Sequence, residues 1–241
     1  MNKKTHFISD LHLFCDRSVA KRHFSSFHET AGKSRQFVLG GDIFDLKWSR
    51  LGSTSETLTA AKRWVEDLVR SFPDCQFHYL LGNHDCAPPL VEKLSEVSQS
   101  HANLDIHPYV LRIEDRIFLH GDVADRLTDQ QQLEWNRERR PFEESKGSFA
   151  NGAYNTVVGL KLHRLATKWY HPRRVAERIL HYLDSIGQGK SSAISDVYFG
   201  HTHSQLTDYE FNGVRFHNGG APIKGLKFKI VEVVPRKDVG T

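Results

Sequence analysis

Apolar residues in the first part of the chain come in short runs, each broken by glycine or a polar group. Thr5–Ser9, Gln36–Leu39 and Gln76–Leu81 read as strands of this kind. The stretch Ser53–Ser71 opens on a capping serine and places Leu58, Ala61, Val65 and Leu68 at spacings of three and four, which predicts a helix. Val110–Ile113 and Arg116–His120 flank Glu114-Asp115 and read as a hairpin. Alternation of this sort predicts βαβ units.

From Asp122 to about Ser192 the strand pattern gives way to helical spacing over Thr128–Arg139, Asn155–Tyr170 and Pro172–Leu183. Pro172 suits the first position of its helix, where no amide hydrogen is needed. A helical block of that length is uncommon as a connection. Residues 122–192 are therefore expected to form an inserted helical cap, or lid, on a body made of residues 1–121 and 193–241. Strand pattern returns at Val197–Phe199, Leu206–Phe211, Val214–Asn218 and Lys227–Val233.

Composition changes this picture little. The 241 residues are 39% hydrophobic and 26% charged, as in an ordinary globular protein. No apolar run reaches the length of a membrane span, and the basic start lacks the apolar stretch of a secretory signal. Cys15, Cys75 and Cys86 form no CxxC pair, which fits a reducing cytosol. The net charge of +4 is too small to imply a nucleic-acid partner. Its placement is informative, because Tyr154–Ser192 holds seven Lys/Arg against two acids. That segment is either a solvated helix face or a surface for a polyanion or anionic membrane. The expected location is cytoplasmic, peripheral to the inner membrane face.

The chemistry lies where strands end. Five clusters occupy such positions: Asp10-Leu-His12, Gly41-Asp42, Gly82-Asn83-His84-Asp85, His120-Gly121-Asp122 and Gly200-His201-Thr202-His203. Sites in open α/β sheets form at the carboxyl ends of strands, so the five can converge. Residues two apart on extended chain point to one side, so each Asp-x-His or His-x-His pair can grip neighbouring metal positions. Carboxylate, amide and imidazole donors without thiolate suit manganese, iron or zinc. Any one cluster alone is an ordinary turn or core histidine; the whole set in order is not.

Together these motifs resemble the calcineurin-like metallophosphoesterase superfamily, whose pattern runs through Asp-x-His, Gly-Asp, Gly-Asn-His-Asp/Glu, His and Gly-His-x-His. The resemblance implies an α/β fold of the α+β kind, a β-sandwich flanked by helices, with two divalent metals at one edge. It implies that Asp10, His12 and His203 bind the first metal, that Asn83, His120 and His201 bind the second, and that Asp42 bridges them. A metal-activated hydroxide would then attack phosphorus, with His84 protonating the departing oxygen. Asp45, Asp85 and Asp122 fall where a second layer of support is needed, and Asp85 is expected to orient His84.

Substrate choice is less determined. Gly40–Trp48, reading Gly-Gly-Asp-Ile-Phe-Asp-Leu-Lys-Trp, looks like a stretch of the bacterial UDP-2,3-diacylglucosamine pyrophosphohydrolase-like branch, which also carries a helical lid after His-Gly-Asp. In that reading Leu160, Leu162, Leu165, Trp169 and Tyr170 meet acyl chains, while Lys161, Arg164, Lys168, Arg173 and Arg174 meet the diphosphate. The lipid A hydrolases typically carry Arg where this chain has His84. A general phosphodiesterase or phosphomonoesterase, protein phosphatases included, therefore stands beside the nucleotide-lipid reading. A catalytically silent metal-binding scaffold is a third alternative, disfavoured because every motif residue is retained.

Overall fold

The computed structural model describes residues 4–139 and 170–234. Its strands are β1 (Lys4–Ile8), β2 (Ser34–Leu39), β3 (Gln76–Leu80), β4 (Leu104–His107), β5 (Val110–Ile113), β6 (Arg116–Leu119), β7 (Asp196–Phe199), β8 (Leu206–Phe211), β9 (Val214–Asn218) and β10 (Val231–Glu232). Its α-helices are α1 (Phe24–Lys33), α2 (Thr54–Ser71), α3 (Pro88–Ser100), α4 (Gln130–Glu138) and α5 (Pro172–Ser185). The strands form two five-stranded mixed sheets, ordered β10-β1-β2-β3-β4 and β5-β6-β7-β9-β8. β1 to β4 run parallel, as do β6, β7 and β9, so both sets of carboxyl ends can supply one edge.

Side-chain alternation makes the layers. In β2, Phe37 and Leu39 face the helices while Val38 faces the other sheet; in β6 and β7, Phe118 and Tyr198 face inward while Ile117, Leu119, Val197 and Phe199 face out. The inner layer is a small cluster in which Phe7, Phe118 and Tyr198 pack, the last two stacked with centroids 5.0 Å apart. α1, α2 and α3 cover the outer face of the first sheet through residues such as Phe27, Val65 and Leu94. Helix α2 starts as its sequence requires, with the Ser53 hydroxyl accepting from the Glu56 amide at 3.1 Å.

Of the block expected to form a cap, the described parts lie on the outer face of the second sheet. Leu133 from α4 and Val175, Ile179 and Leu183 from α5 join Ile117, Val197 and Phe216 in one buried cluster. The helix expected over Asn155–Tyr170 lies outside the described residues except for Tyr170. The strand expected over Lys227–Val233 is much shorter. Only Val231 and Glu232 pair along β1, because the preceding segment turns to meet the Gly219-Gly220 loop, where Phe228 bridges to Gly220 and the Lys229 amide bonds Gly219. Among the described residues no helix is long and apolar enough to cross a membrane.

Candidate metal centre

Loops leaving β1, β2, β3, β6 and β7 meet at one edge of the sandwich. Backbone hydrogen bonds lock them together: the Asp10 amide to Gly41, the His12 amide to Asp42, and the Gly200 amide to His120. The chain turns hard at the functional residues. Asp10, His12, Asp42, His201 and His203 all have φ between 43° and 63°, a left-handed conformation that non-glycine residues adopt at a cost. Gly41 takes φ 84°, and a Cβ on Gly82 would strike the Asp42 carboxylate, so glycine is required at both.

The convergence brings the donors into overlapping groups. Asp10, His12 and His203 each offer one atom within 4.8 Å of the others; so do, in a second group, Asp42, His120 and His201, while His12, Asp42 and His84 form a third that joins the two. His12 Nε2 lies 3.1 Å from His203 Nε2, and His203 Nε2 lies 3.4 Å from Asp10 Oδ1. In the second group His120 Nε2 is 3.2 Å from Asn83 Oδ1 and 3.4 Å from Asp42 Oδ2. That same Asp42 oxygen is 4.0 Å from His12 Nε2, so one oxygen faces both groups.

Neighbouring groups fix the tautomers. His120 Nδ1–H donates to the Gly40 carbonyl at 3.0 Å, which turns Nε2 toward Asn83 and Asp42. His201 Nε2–H donates to Asp125 Oδ1 at 2.8 Å, which leaves its Nδ1 bare. Tyr170 donates to the same Asp125 oxygen at 2.6 Å. Backbone amides hold the carboxylates: His201 N donates to both Asp10 oxygens at 3.0 Å, and His84 N to Asp42 Oδ1 at 2.8 Å.

Electrostatics follow from burial and mutual pairing. Burial opposes ionisation of Asp42, but the His120 and His84 imidazoles hold its carboxyl well below the usual range. Burial pushes His12 down to about 4, so its imidazole is neutral at ordinary pH. His120 goes the other way: burial lowers it, yet Asp42 and Asp10 outweigh that and carry it up to about 10. A proton stored between two carboxylates is what a cation would displace. Imidazole and oxygen donors around two buried carboxylates fit a pair of divalent ions.

His84 Nδ1 faces Asp45 Oδ1 at 3.4 Å, and Asp42 and Asp45 raise its pKa against the effect of burial. This differs from the expected role of Asp85. The Asp85 carboxylate is fully occupied by the Ile43 amide (2.9 Å), the Tyr79 hydroxyl (2.8 Å) and the Gly82 amide, so it ties the β2 and β3 loops instead. Burial and the Asp42 charge push Asp85 up to about 6. Asp45, far from being a surface acid, is 0% exposed and also faces His12 Nδ1 (3.5 Å) and Arg17 (3.0 Å). Asp122 binds Arg137 through two 2.9 Å contacts, and Arg137 reaches the Pro108 carbonyl. Sequence reasoning singled out neither Asp125 nor Arg17 nor Tyr79. Tyr79 was findable, since its parity with Phe77 buries it and its hydroxyl then needs a partner.

A cleft of about 760 Å³ opens beside the centre, with Asn83 and His84 on one wall and Lys47, Trp48, Tyr109 and Arg137 on others. A family model described as calcineurin-like phosphoesterase matches residues 3–205. Two solved structures are similar. Vps29 from Chaetomium thermophilum shares 14% identity, with 94% of this chain and 75% of that chain covered and a TM-score of 0.41. A dimetal phosphatase from Danio rerio shares 12%, with coverages of 92% and 88% and a TM-score of 0.46. No curated protein sequence matches the chain.

Proposed function

Because this chain belongs to the calcineurin-like phosphoesterase family and is a metal-dependent phosphoester hydrolase, we propose that its two metals are held by the residues converging at the sandwich edge. Asp10, His12 and His203 hold one ion, Asn83, His120 and His201 the other, and Asp42 bridges them. The observation that carries this reading is the single Asp42 oxygen facing His120 and His12 at 3.4 and 4.0 Å. When bound, two divalent ions neutralise phosphoryl oxygens and make water acidic enough to attack phosphorus. Manganese is the proposed metal, with iron or zinc as alternatives, on a donor set that mixes carboxylate and amide oxygens with imidazole nitrogens.

His84 is the proton donor to the departing oxygen. It borders the cleft, and Asp42 and Asp45 favour its charged form. Asp45 is the positioning residue for His84, and Asp85 shapes the loops that carry Asp42 and Asn83.

For substrate we favour a small nucleotide-linked diphosphate of the UDP-2,3-diacylglucosamine kind. Support comes from the Gly40–Trp48 stretch and from the cleft, where Trp48 and Tyr109 offer aromatic faces to a base and Lys47 a charge to phosphate. Such a substrate would place the enzyme in the cytoplasm, at the membrane face. The imidazole of His84, where the lipid A hydrolases carry Arg, favours the second reading, a general phosphodiesterase or phosphomonoesterase. An assay with UDP-2,3-diacylglucosamine, bis-p-nitrophenyl phosphate and p-nitrophenyl phosphate, supplemented with each metal in turn, separates the two. UMP release supports the first; brisk cleavage of a nitrophenyl ester without it supports the second.

A further inference from the structure

A second group of metal-ligating side chains lies away from the dinuclear edge. His78 on β3 pairs in register with Asp105 on the edge strand β4, and His107 follows Asp105 two residues on, on the same face. These three residues each offer an atom within 4.8 Å of the other two. His78 lies upstream of Asn83, on the order of 15 Å back along the strand direction, so it does not share the phosphoesterase donors.

The distances are those of a coordination sphere. His78 Nδ1 sits 3.2 Å from His107 Nε2 and 3.5 Å from Asp105 Oδ2. A tetrahedral zinc ion with ligands at roughly 2.0–2.1 Å sets neighbouring donors about 3.3–3.4 Å apart. Hydrogen bonds take these atoms up in pairs, His78 Nδ1 with His107 Nε2 and Asp105 Oδ2 with the Gln76 side-chain amide. One ring nitrogen carries one proton or one lone pair, so His78 Nδ1 serves only one of the two atoms it faces, whereas a cation would gather all three donors at one centre.

Charge and access agree. Burial and the neighbouring His107 push His78 down to about 4, and burial lowers His107 too, so both imidazoles are neutral at ordinary pH with lone pairs available. Asp105 supplies one negative charge and is oriented by the Gln76 side-chain amide at 3.0 Å. Its side chain is 55% exposed, which leaves a way in for the ion and room for water as the fourth ligand.

We propose that His78, Asp105 and His107 form a mononuclear zinc site that clips the edge strand β4 to β3. Imidazole and carboxylate donors in this number suit Zn²⁺ better than Mg²⁺ or Ca²⁺, which prefer all-oxygen spheres. The site is independent of the phosphoesterase centre.

Zinc binding to the full chain, counted by equilibrium dialysis and elemental analysis, tests it. His107→Gln and Asp105→Asn alter exposed or half-buried positions on an edge strand, so at least one of the two should fold. Each is expected to bind one zinc equivalent fewer than the unaltered protein, to lose part of the zinc-dependent rise in melting temperature, and to hydrolyse nitrophenyl phosphates within twofold of it. Equal zinc counts in all three proteins overturn the proposal, as does loss of hydrolysis in step with the lost zinc.

Discussion

At the residue scale the site depends on which atoms of an imidazole are already engaged. His84 is held by Asp45, and removing that carboxylate should lower its pKa. In Asp45→Asn the basic limb of the pH–rate profile is therefore expected to move to lower pH, with the variant still binding metal. A profile that does not move would show that Asp45 supports only the fold. His84→Ala removes the proton donor and should cut turnover by roughly 10²–10⁴-fold, with metal content by elemental analysis unchanged. His120 adds a linkage. Its pKa of about 10 in the metal-free chain means that it must lose a proton to become a ligand. Metal affinity at the site that includes His120 should thus fall as pH is lowered, and calorimetry in buffers of different ionisation enthalpy should register about one proton released on filling it.

At the scale of elements, polar pairing also fastens strands far from the chemistry. Asp196 at the start of β7 is 1% exposed and accepts from Ser195 (2.7 Å), from Arg215 (2.7 Å) and from His217 (2.8 Å) on β9. Burial opposes its charge, but these bonds hold it at about 2, below the ordinary aspartate value of 3.8. A depressed carboxyl stabilises the fold above its unfolded pKa and loses that contribution as pH falls through its folded one. The stability gap between the unaltered protein and Asp196→Asn should be about 2 kcal/mol at pH 6 and should close between about pH 4 and pH 2. Urea titrations at several pH values measure it. Elements differed in how well the sequence announced them. α2 is legible because Ala61, Val65 and Leu68 repeat at helical spacing and Ser53 caps the start. α1 buries only Phe27 and Ala31, too little periodicity to stand out, and β4 is four residues with charged or polar alternates. β10 was overread because apolar character persists from Leu226 to Ile230 while pairing passes to a loop.

At the scale of the whole molecule, the proposed metal ligands are legible in the sequence because chemistry restricts which residues can serve, and strand ends mark where they would converge. Asp125 and Arg17 were not, since one carboxylate or guanidinium in a loop carries no signal until the fold selects its partner. In the proposed assignment, metal would cross-link the two sheets, with Asp10 and His12 from one and His201 and His203 from the other. A ligand present at 100 times its Kd stabilises by about 2.7 kcal/mol, so chelation is expected to lower the melting temperature by on the order of 5–10 °C, recovered on adding metal back. No change on chelation would mean that the donors do not bind metal across the sandwich. The same pairing has a consequence during synthesis. Asp10 and His201 are 191 residues apart, and in the proposed assignment each ion takes one donor from the late His201-Thr202-His203 turn. A ribosome must therefore release the chain through His203 before either ion would have its full set of partners, and the nascent protein would stay inert toward cellular phosphoesters until its second sheet closes.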